Sequence, residues 1–259
     1  MTAVRLLSLD FDGTLIGPWE AMETRACPEL LACLEGLRAG GVLIAWNTGR
    51  TLELVDQGLQ IFPVRPDFAL TTERDLFRWD AERWEELGDW NQKCRIDHDA
   101  MFHEAEHLLE AIARFVTTHT GARLYLESDQ FRGVVARSPD EMDRIEEFIL
   151  ARRRKVPAFS FQRNSIYLRF CHGAYDKGAV LGELQRILRV SPSETFAAGD
   201  NYNDLPMLTR KRADWLACPA NSIAEVKAAV ESHGGFVAAR EGGSGVADAL
   251  RYYFPELCT

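Results

Sequence analysis

The chain has 259 residues, 46% hydrophobic and 27% charged, with a formal net charge of −9. That is enough apolar material for one large or two modest cores, and the negative balance argues against nucleic acid and anionic membrane as main partners, because its field repels polyanions. No apolar run approaches the roughly 18 residues that span a bilayer, no signal peptide is readable, and the six cysteines form no C-x-x-C pair, which points to reduced thiols in a cytoplasmic protein.

The first element is a short apolar run, Val4 to Leu9, that ends in Asp10-Phe11-Asp12-Gly13-Thr14-Leu15. Its shortness and the turn-forming Gly favour a buried parallel strand over a helix. Two aspartates at the carboxyl end of such a strand lie where open α/β sheets bind ligands, and the turn at Gly13 can splay them. The bland alternative is a strand-end turn with both acids facing water. Val42 to Trp46 is a second such run, leading into Asn47-Thr48-Gly49-Arg50. The interval from there to Lys177 is too long for one crossover and carries its own signals. Strands are expected at Leu76–Trp79, Arg123–Glu127, Phe131–Ala136 and Ile166–Phe170, and helices at 97–117 and 140–154, with a hairpin at 128–130. The basic run Arg152-Arg153-Arg154-Lys155 suits a solvated helix C-terminus.

Asp176-Lys177-Gly178 opens a segment with helical spacing to about 189. A cation in the first helical turn opposes the macrodipole, whereas Asp176 is a good N-cap, so something anionic should face Lys177. A third apolar run, Thr195 to Ala198, leads into Gly199-Asp200-Asn201-Tyr202-Asn203-Asp204, with a helix expected next that tolerates Pro206 in its first turn. A strand near Trp215, a helix over 222–231 and a last helix from about Gly245 complete the chain, and Glu241–Gly245 reads as a loop.

In Asp10–Leu15, Thr48, Lys177 and Gly199–Asp204 the chain resembles the haloacid dehalogenase superfamily of phosphotransferases, with these four stretches at the positions of its four motifs. The resemblance implies an α/β fold, a doubly wound Rossmann-like parallel-sheet core with an inserted α/β cap domain: residues 1–73 and 174–259 form the core and 74–173 the cap. The cap pattern is similar to that of the branch containing sucrose-phosphate phosphatase, trehalose-phosphate phosphatase and phosphomannomutase, and would close over the site. Pro66–Glu73 is similar to the stretch entering the cap there, although Glu73-Arg74 stands where that family usually has a small residue, often Gly.

The implied chemistry is Mg²⁺-dependent attack by Asp10 on a phosphate monoester, giving an aspartyl-phosphate. A carboxylate attacks a phosphate dianion only if a metal and cations neutralise the phosphoryl oxygens. Asp10, Asp200 and the backbone carbonyl of Asp12 are the implied Mg²⁺ ligands, since this ion takes octahedral oxygens and keeps waters. Thr48, the amides around Gly49, Lys177 and Asn203 would bind phosphate, while Asn203 and Asp204 would also orient Lys177 and metal-bound water. Arg50 either clamps phosphate or pairs with a carboxylate. Asp12 decides the reaction class: an ester leaving group departs as a poor alkoxide unless protonated, so a second acid two residues after the nucleophile favours phosphomonoester hydrolysis. The substrate implied is a small phosphorylated metabolite, foremost a sugar phosphate.

Three rivals stand beside this reading: a phosphomutase of the same fold, a binding module that has lost catalysis, and a zinc metalloprotease. The last rests on His103-Glu104-Ala105-Glu106-His107, an H-E-x-x-H match. Helical rotation puts both histidines opposite the apolar stripe Met101, Ala105, Leu108, Ile112, Phe115, so no zinc is expected there. In the expected cap, Trp79, Trp84 and Trp90 with Arg78, Arg83 and Arg95 form either a sugar-stacking, anion-binding surface or core and snorkelling surface.

Overall fold

A computed structural model describes residues 3–17, 26–127 and 129–258, which fall into two compact units, Met1–Asn91 with Lys177–Thr259, and Gln92–Asp176. The first unit opens with β1 (Leu6–Leu9), α1 (Pro28–Ala39), β2 (Leu43–Asn47), α2 (Leu52–Gly58), β3 (Phe68–Thr71), β4 (Asp75–Trp79) and β5 (Trp84–Glu86). Then come α3 (Trp90–Glu104), α4 (Glu106–His119), β6 (Arg123–Glu127), β7 (Gln130–Val135), α5 (Pro139–Arg152), β8 (Phe159–Asn164) and β9 (Tyr167–His172). The chain returns to the first unit with α6 (Lys177–Leu188), β10 (Thr195–Ala198), β11 (Trp215–Cys218), α7 (Ala224–Ser232), β12 (Phe236–Val237) and α8 (Gly242–Tyr253).

The first unit is built on one eight-stranded sheet in the order β12-β11-β10-β1-β2-β3-β4-β5, parallel from β12 through β3 and antiparallel at β4 and β5. Alternation along each strand divides the core. Leu7, Leu9, Ile44, Trp46, Phe196 and Ala198 pack with α1 and α8, whereas Leu6, Ala45, Ala197 and Leu216 pack with α6 and α7. With helices on both faces, all four residues of β1 are buried, which is why the strand reads as a continuous apolar run. Strand order reverses beside β1, whose neighbours are β10 and β2, and that switch point is where doubly wound sheets place ligands.

The second unit is a four-stranded antiparallel sheet, β6-β7-β9-β8, with one face covered by α4 and α5 around Ile112, Val116, Val134, Ile145, Leu168 and Phe170. Ser138 caps α5 by accepting from the Glu141 amide at 3.2 Å, a contact typically worth about 1 kcal/mol. The expected hairpin closes at the Glu127–Gln130 pair, while Ser128 lies outside the described residues.

Several sequence expectations are corrected. Residues 74–91 group with the core unit instead of the inserted one. Strand β4 pairs with β3 and is pinned by Asn91, whose amide both accepts from and donates to the backbone of Leu76. Trp79 and Trp84 therefore meet edge to face, ring centres 5.2 Å apart, at the edge of the core sheet, and the Trp90 indole donates to Arg74 O. Four strands lie outside the sequence expectations: β3, β5, β8 and β12. The helix expected over 97–117 is two, divided at Ala105, with His103 and His107 both exposed on either side of the break. Glu241–Gly245 is no loop: Gly242 begins α8, which packs so closely on the first motif that a Cβ on Gly243 would lie 2.7 Å from Leu15 O. Among the described residues, no helix is long and apolar enough to cross a membrane.

Candidate active site

Four loops converge at the carboxyl ends of β1, β2, β3 and β10. Asp10 follows β1 directly, and its amide donates to Ala198 O at 3.0 Å, tying the first loop to β10. Gly13 has φ +82°, and a Cβ there would lie 2.4 Å from Asp200 Oδ2, so only Gly admits both the turn and the approach of this acid. Asn221 braces the turn, donating to Gly13 O at 2.8 Å while accepting from the Gly242 amide at 2.7 Å. Thr14 Oγ1 sits 3.2 Å from Asp10 Oδ2 and 3.3 Å from Asp200 Oδ1, placed to donate to either carboxylate.

Lys177, at the start of α6, is fully buried, and its ammonium donates to Asp10 Oδ1 and Asp204 Oδ1, both at 2.6 Å. The anionic partner demanded by its place in the first turn is thus a pair of carboxylates. Burial works against the Lys177 charge, yet Asp10, Asp204 and Glu73 outweigh it and hold the ammonium well above the ordinary lysine value. Burial also raises Asp10, with Asp204 and Asp200 adding repulsion and Lys177 opposing. Asp200 is pushed up to about 7, first by burial and then by Asp204.

Asp10, Asp200 and Asp204 each offer an oxygen within 4.8 Å of the others. Asp204 is already committed: Oδ1 takes Lys177, and Oδ2 accepts from the amides of Asp200 and Asn201 at 2.8 and 3.0 Å. Asp10 and Asp200 are the pair left for a cation. Hard carboxylate oxygens in mutual repulsion, cradled by a glycine loop, fit a divalent oxygen-seeking ion such as Mg²⁺.

Thr48 is buried beyond β2, its amide donating to Leu70 O and its hydroxyl accepting from the Arg50 amide at 3.2 Å. Of the two alternatives for Arg50, the structure has the ion pair: Nε and Nη2 donate to the two oxygens of Asp12 at 2.8 and 2.7 Å, with the guanidinium 4.4 Å from the centre of the Phe11 ring. Asn203 is buried, and its Nδ2 donates to Glu73 Oε1 at 2.6 Å. The motif around it is not followed by a helix. Tyr202–Asp204 is a single 3-10 turn closed by an Asn201–Asp204 capping box, and turns follow. The structure thus brings Asp10, Lys177, Asp200 and Asp204 into one cluster, links Thr48 and Asn203 to each other through Glu73, and pairs Asp12 with Arg50. Thr14, Glu73 and Asn221 were not assigned roles from sequence. Thr14 reaches Asp200 and Asn221 reaches Gly13, each far off along the chain, and only the unusual Glu in a turn marked Glu73. The His103 and His107 pair joins no metal-capable cluster among the described residues.

The haloacid dehalogenase-like hydrolase family matches residues 93–250, more than half of the chain, and the protein belongs to that family. The match contains Lys177 and Asp200–Asp204, while the first two motifs lie outside it. The fold is shared with the sucrose-phosphatase of Synechocystis sp. PCC6803, solved with sucrose and phosphate: TM-score 0.71, 19% identity, 98% of each chain covered. It is shared also with a phosphatase of the same superfamily from Bacteroides thetaiotaomicron, TM-score 0.64 and 18% identity over 97% of this chain and 95% of that one. A subclass IIB sugar phosphatase matches at TM-score 0.65 and 18% identity over 96% and 99%. No curated protein matches the chain by sequence.

Proposed function

We propose that the protein is a Mg²⁺-dependent phosphomonoesterase that hydrolyses a small phosphorylated metabolite, a sugar phosphate first, by way of an aspartyl-phosphate on Asp10. The observation that carries this is the buried Asp10–Lys177–Asp204 arrangement with Asp200 alongside, on the switch point of the sheet. Asp10 Oδ1 is held by Lys177, which leaves Oδ2 on the Thr14 and Asp200 side. When bound, Mg²⁺ would be held by Asp10, Asp200 and the Asp12 carbonyl and would supply charge neutralisation for the phosphoryl oxygens.

Lys177, Thr48 and the amides of the turn at Gly49 bind and orient the phosphoryl group, so that its repulsion of the nucleophile is offset at the oxygens where charge gathers. Attack by an Asp10 oxygen breaks the ester P–O bond, and Asp12 delivers a proton to the departing alkoxide. Asp12 then takes a proton from the water that opens the acyl phosphate, and both residues return to their starting state. Since Arg50 donates to both oxygens of Asp12, proton delivery requires that one of these bonds be released. The unit Gln92–Asp176 is inserted between the second and third motifs, and small soluble esters are the proposed substrates. The sugar phosphate preference is supported by the two sugar-related neighbours named above.

The test is a panel of phosphate esters with Mg²⁺ and with chelator, run on the native protein and Asp10→Asn. Metal-dependent release of phosphate that disappears in the variant supports the mechanism, and steady turnover by purified Asp10→Asn protein overturns it. A requirement for an activating bisphosphate, with isomerised ester as product, marks a mutase instead. Hexose and disaccharide phosphates turned over no better than nucleotides or phosphoglycolate remove the sugar assignment alone.

A further inference from the structure

Glu73 carries two costs at one position beside the reacting groups. It and Thr72 have φ of 66° and 50°, in the left-handed region that penalises side chains with a Cβ, β-branched ones above all. Its carboxylate is also buried, with the residue only 6% exposed, against Asn203 of the loop that supplies Asp200 and Asp204. A glycine would relieve both costs. The turn is held against the phosphate-binding loop by its backbone, Thr72 N donating to Arg50 O at 2.9 Å and Glu73 N to Thr48 O at 3.1 Å. The side chain lies over Gly49, whose hypothetical Cβ would be 3.4 Å from Glu73 Oε1.

That same oxygen accepts the Asn203 amide at 2.6 Å across 130 residues of sequence, and Glu73 is the third carboxylate sustaining the charge of Lys177. A carboxylate is an acceptor only, so it dictates which end of the Asn203 amide faces it. Nδ2 is turned to Glu73, and its second N–H remains for another acceptor. Asn203 Oδ1, buried without a donor among the described residues, is kept on the opposite side. Strain and buried charge retained at a site are signs of a functional constraint when the surroundings over-determine them, as here.

We propose that Glu73 is a positioning residue that fixes the orientation of the Asn203 amide for the phosphoryl group. The inference rests on the phosphatase reading for its kinetic consequence, but the orientation of the amide is independent of it. Glu73→Gly removes the strain and the acceptor together, and Glu73→Gln keeps an acceptor oxygen without the charge. Glu73→Gly is expected to melt at a higher temperature than the native protein, yet to show KM for p-nitrophenyl phosphate and Ki for inorganic phosphate raised about tenfold, with kcat changed less than about threefold, the scale of one lost charge-assisted hydrogen bond. Glu73→Gln should recover most of that affinity without the gain in melting temperature. In NMR spectra, the Asn203 side-chain amide protons should shift in Glu73→Gly and stay near their native position in Glu73→Gln.

Stability and affinity falling together in Glu73→Gly overturn the proposal in favour of a purely structural role, as does an unmoved Asn203 resonance. If Glu73→Gly does not fold, unchanged KM and Ki in Glu73→Ala with an unmoved Asn203 resonance overturn it equally. A native protein that turns over no ester with Mg²⁺ refutes the phosphatase reading instead, and the Asn203 resonances still decide the role of Glu73.

Discussion

Each unit of the molecule holds a cation between two carboxylates, and the two arrangements differ in a way that separates chemistry from scaffolding. In the second unit, Arg163 donates to Asp143 and Glu146 at 2.7 Å each, but its partners come from one helix nearby in sequence and are 63% and 28% exposed. Burial opposes the charge there too, and the two carboxylates outweigh it. In the first unit, Lys177 reaches acids from two different loops, 167 and 27 residues away, with all three side chains at 6% exposure or less. Water screens the Arg163 trio and not the Lys177 trio. A solvent-screened ion pair supports a surface at small cost, whereas three enclosed charges with a further acid beside them are expensive to assemble and are retained for what they do to a ligand.

The sharpest way to break this comparison is at the nucleophile: Asp10→Asn is expected to lower kcat by about 10³-fold or more, measured on the best ester of the panel. Next is the cation itself. Lys177→Met leaves two buried carboxylates uncompensated and should cost about 3–5 kcal/mol in urea unfolding, whereas an intact midpoint would show that water reaches the cluster after all. Saturating Mg²⁺ should stabilise the native protein by about 2.7 kcal/mol at a hundredfold excess over Kd, and Asp200→Asn should lose that gain. In the other unit, Arg163→Met should cost only about 1 kcal/mol and leave KM within twofold, values that a role in catalysis would exceed. The smallest effect concerns pH. Hydrogen bonds from the Arg137 and Gly121 amides hold the Glu141 carboxyl below its ordinary value. A group depressed in the folded state stabilises above its unfolded pKa and loses that contribution as pH falls through the folded one. Glu141→Gln should therefore melt lower than the native protein at pH 7 and level with it near pH 3, and an equal deficit at both would assign the loss to packing.

The core motifs were legible because each is short and needs a particular residue type, three of them closing a buried strand: Asp10 after β1, Thr48 after β2 and Asp200 after β10, with Lys177 at the head of α6. The boundary at residues 74–91 was not, because β4 and β5 alternate like any half-exposed hairpin and nothing local says which sheet they extend. Asn91, fifteen residues on, makes that choice by bonding the backbone of Leu76. Gly242–Gly245 misled for a related reason: glycines that suggest a loop serve here as contact surface for the first motif.

What the sequence determined by itself was the set of chemical groups and the order in which strands deliver them, since apolar runs and the residues closing them are local properties of the chain. Only the tertiary structure decided their partners. It gave Arg50 to Asp12 and not to a free site, closed Asp204 around Lys177, and brought Glu73 to Asn203, because such contacts join residues up to 130 or more positions apart, and their geometry exists only once the two faces of the sheet are packed.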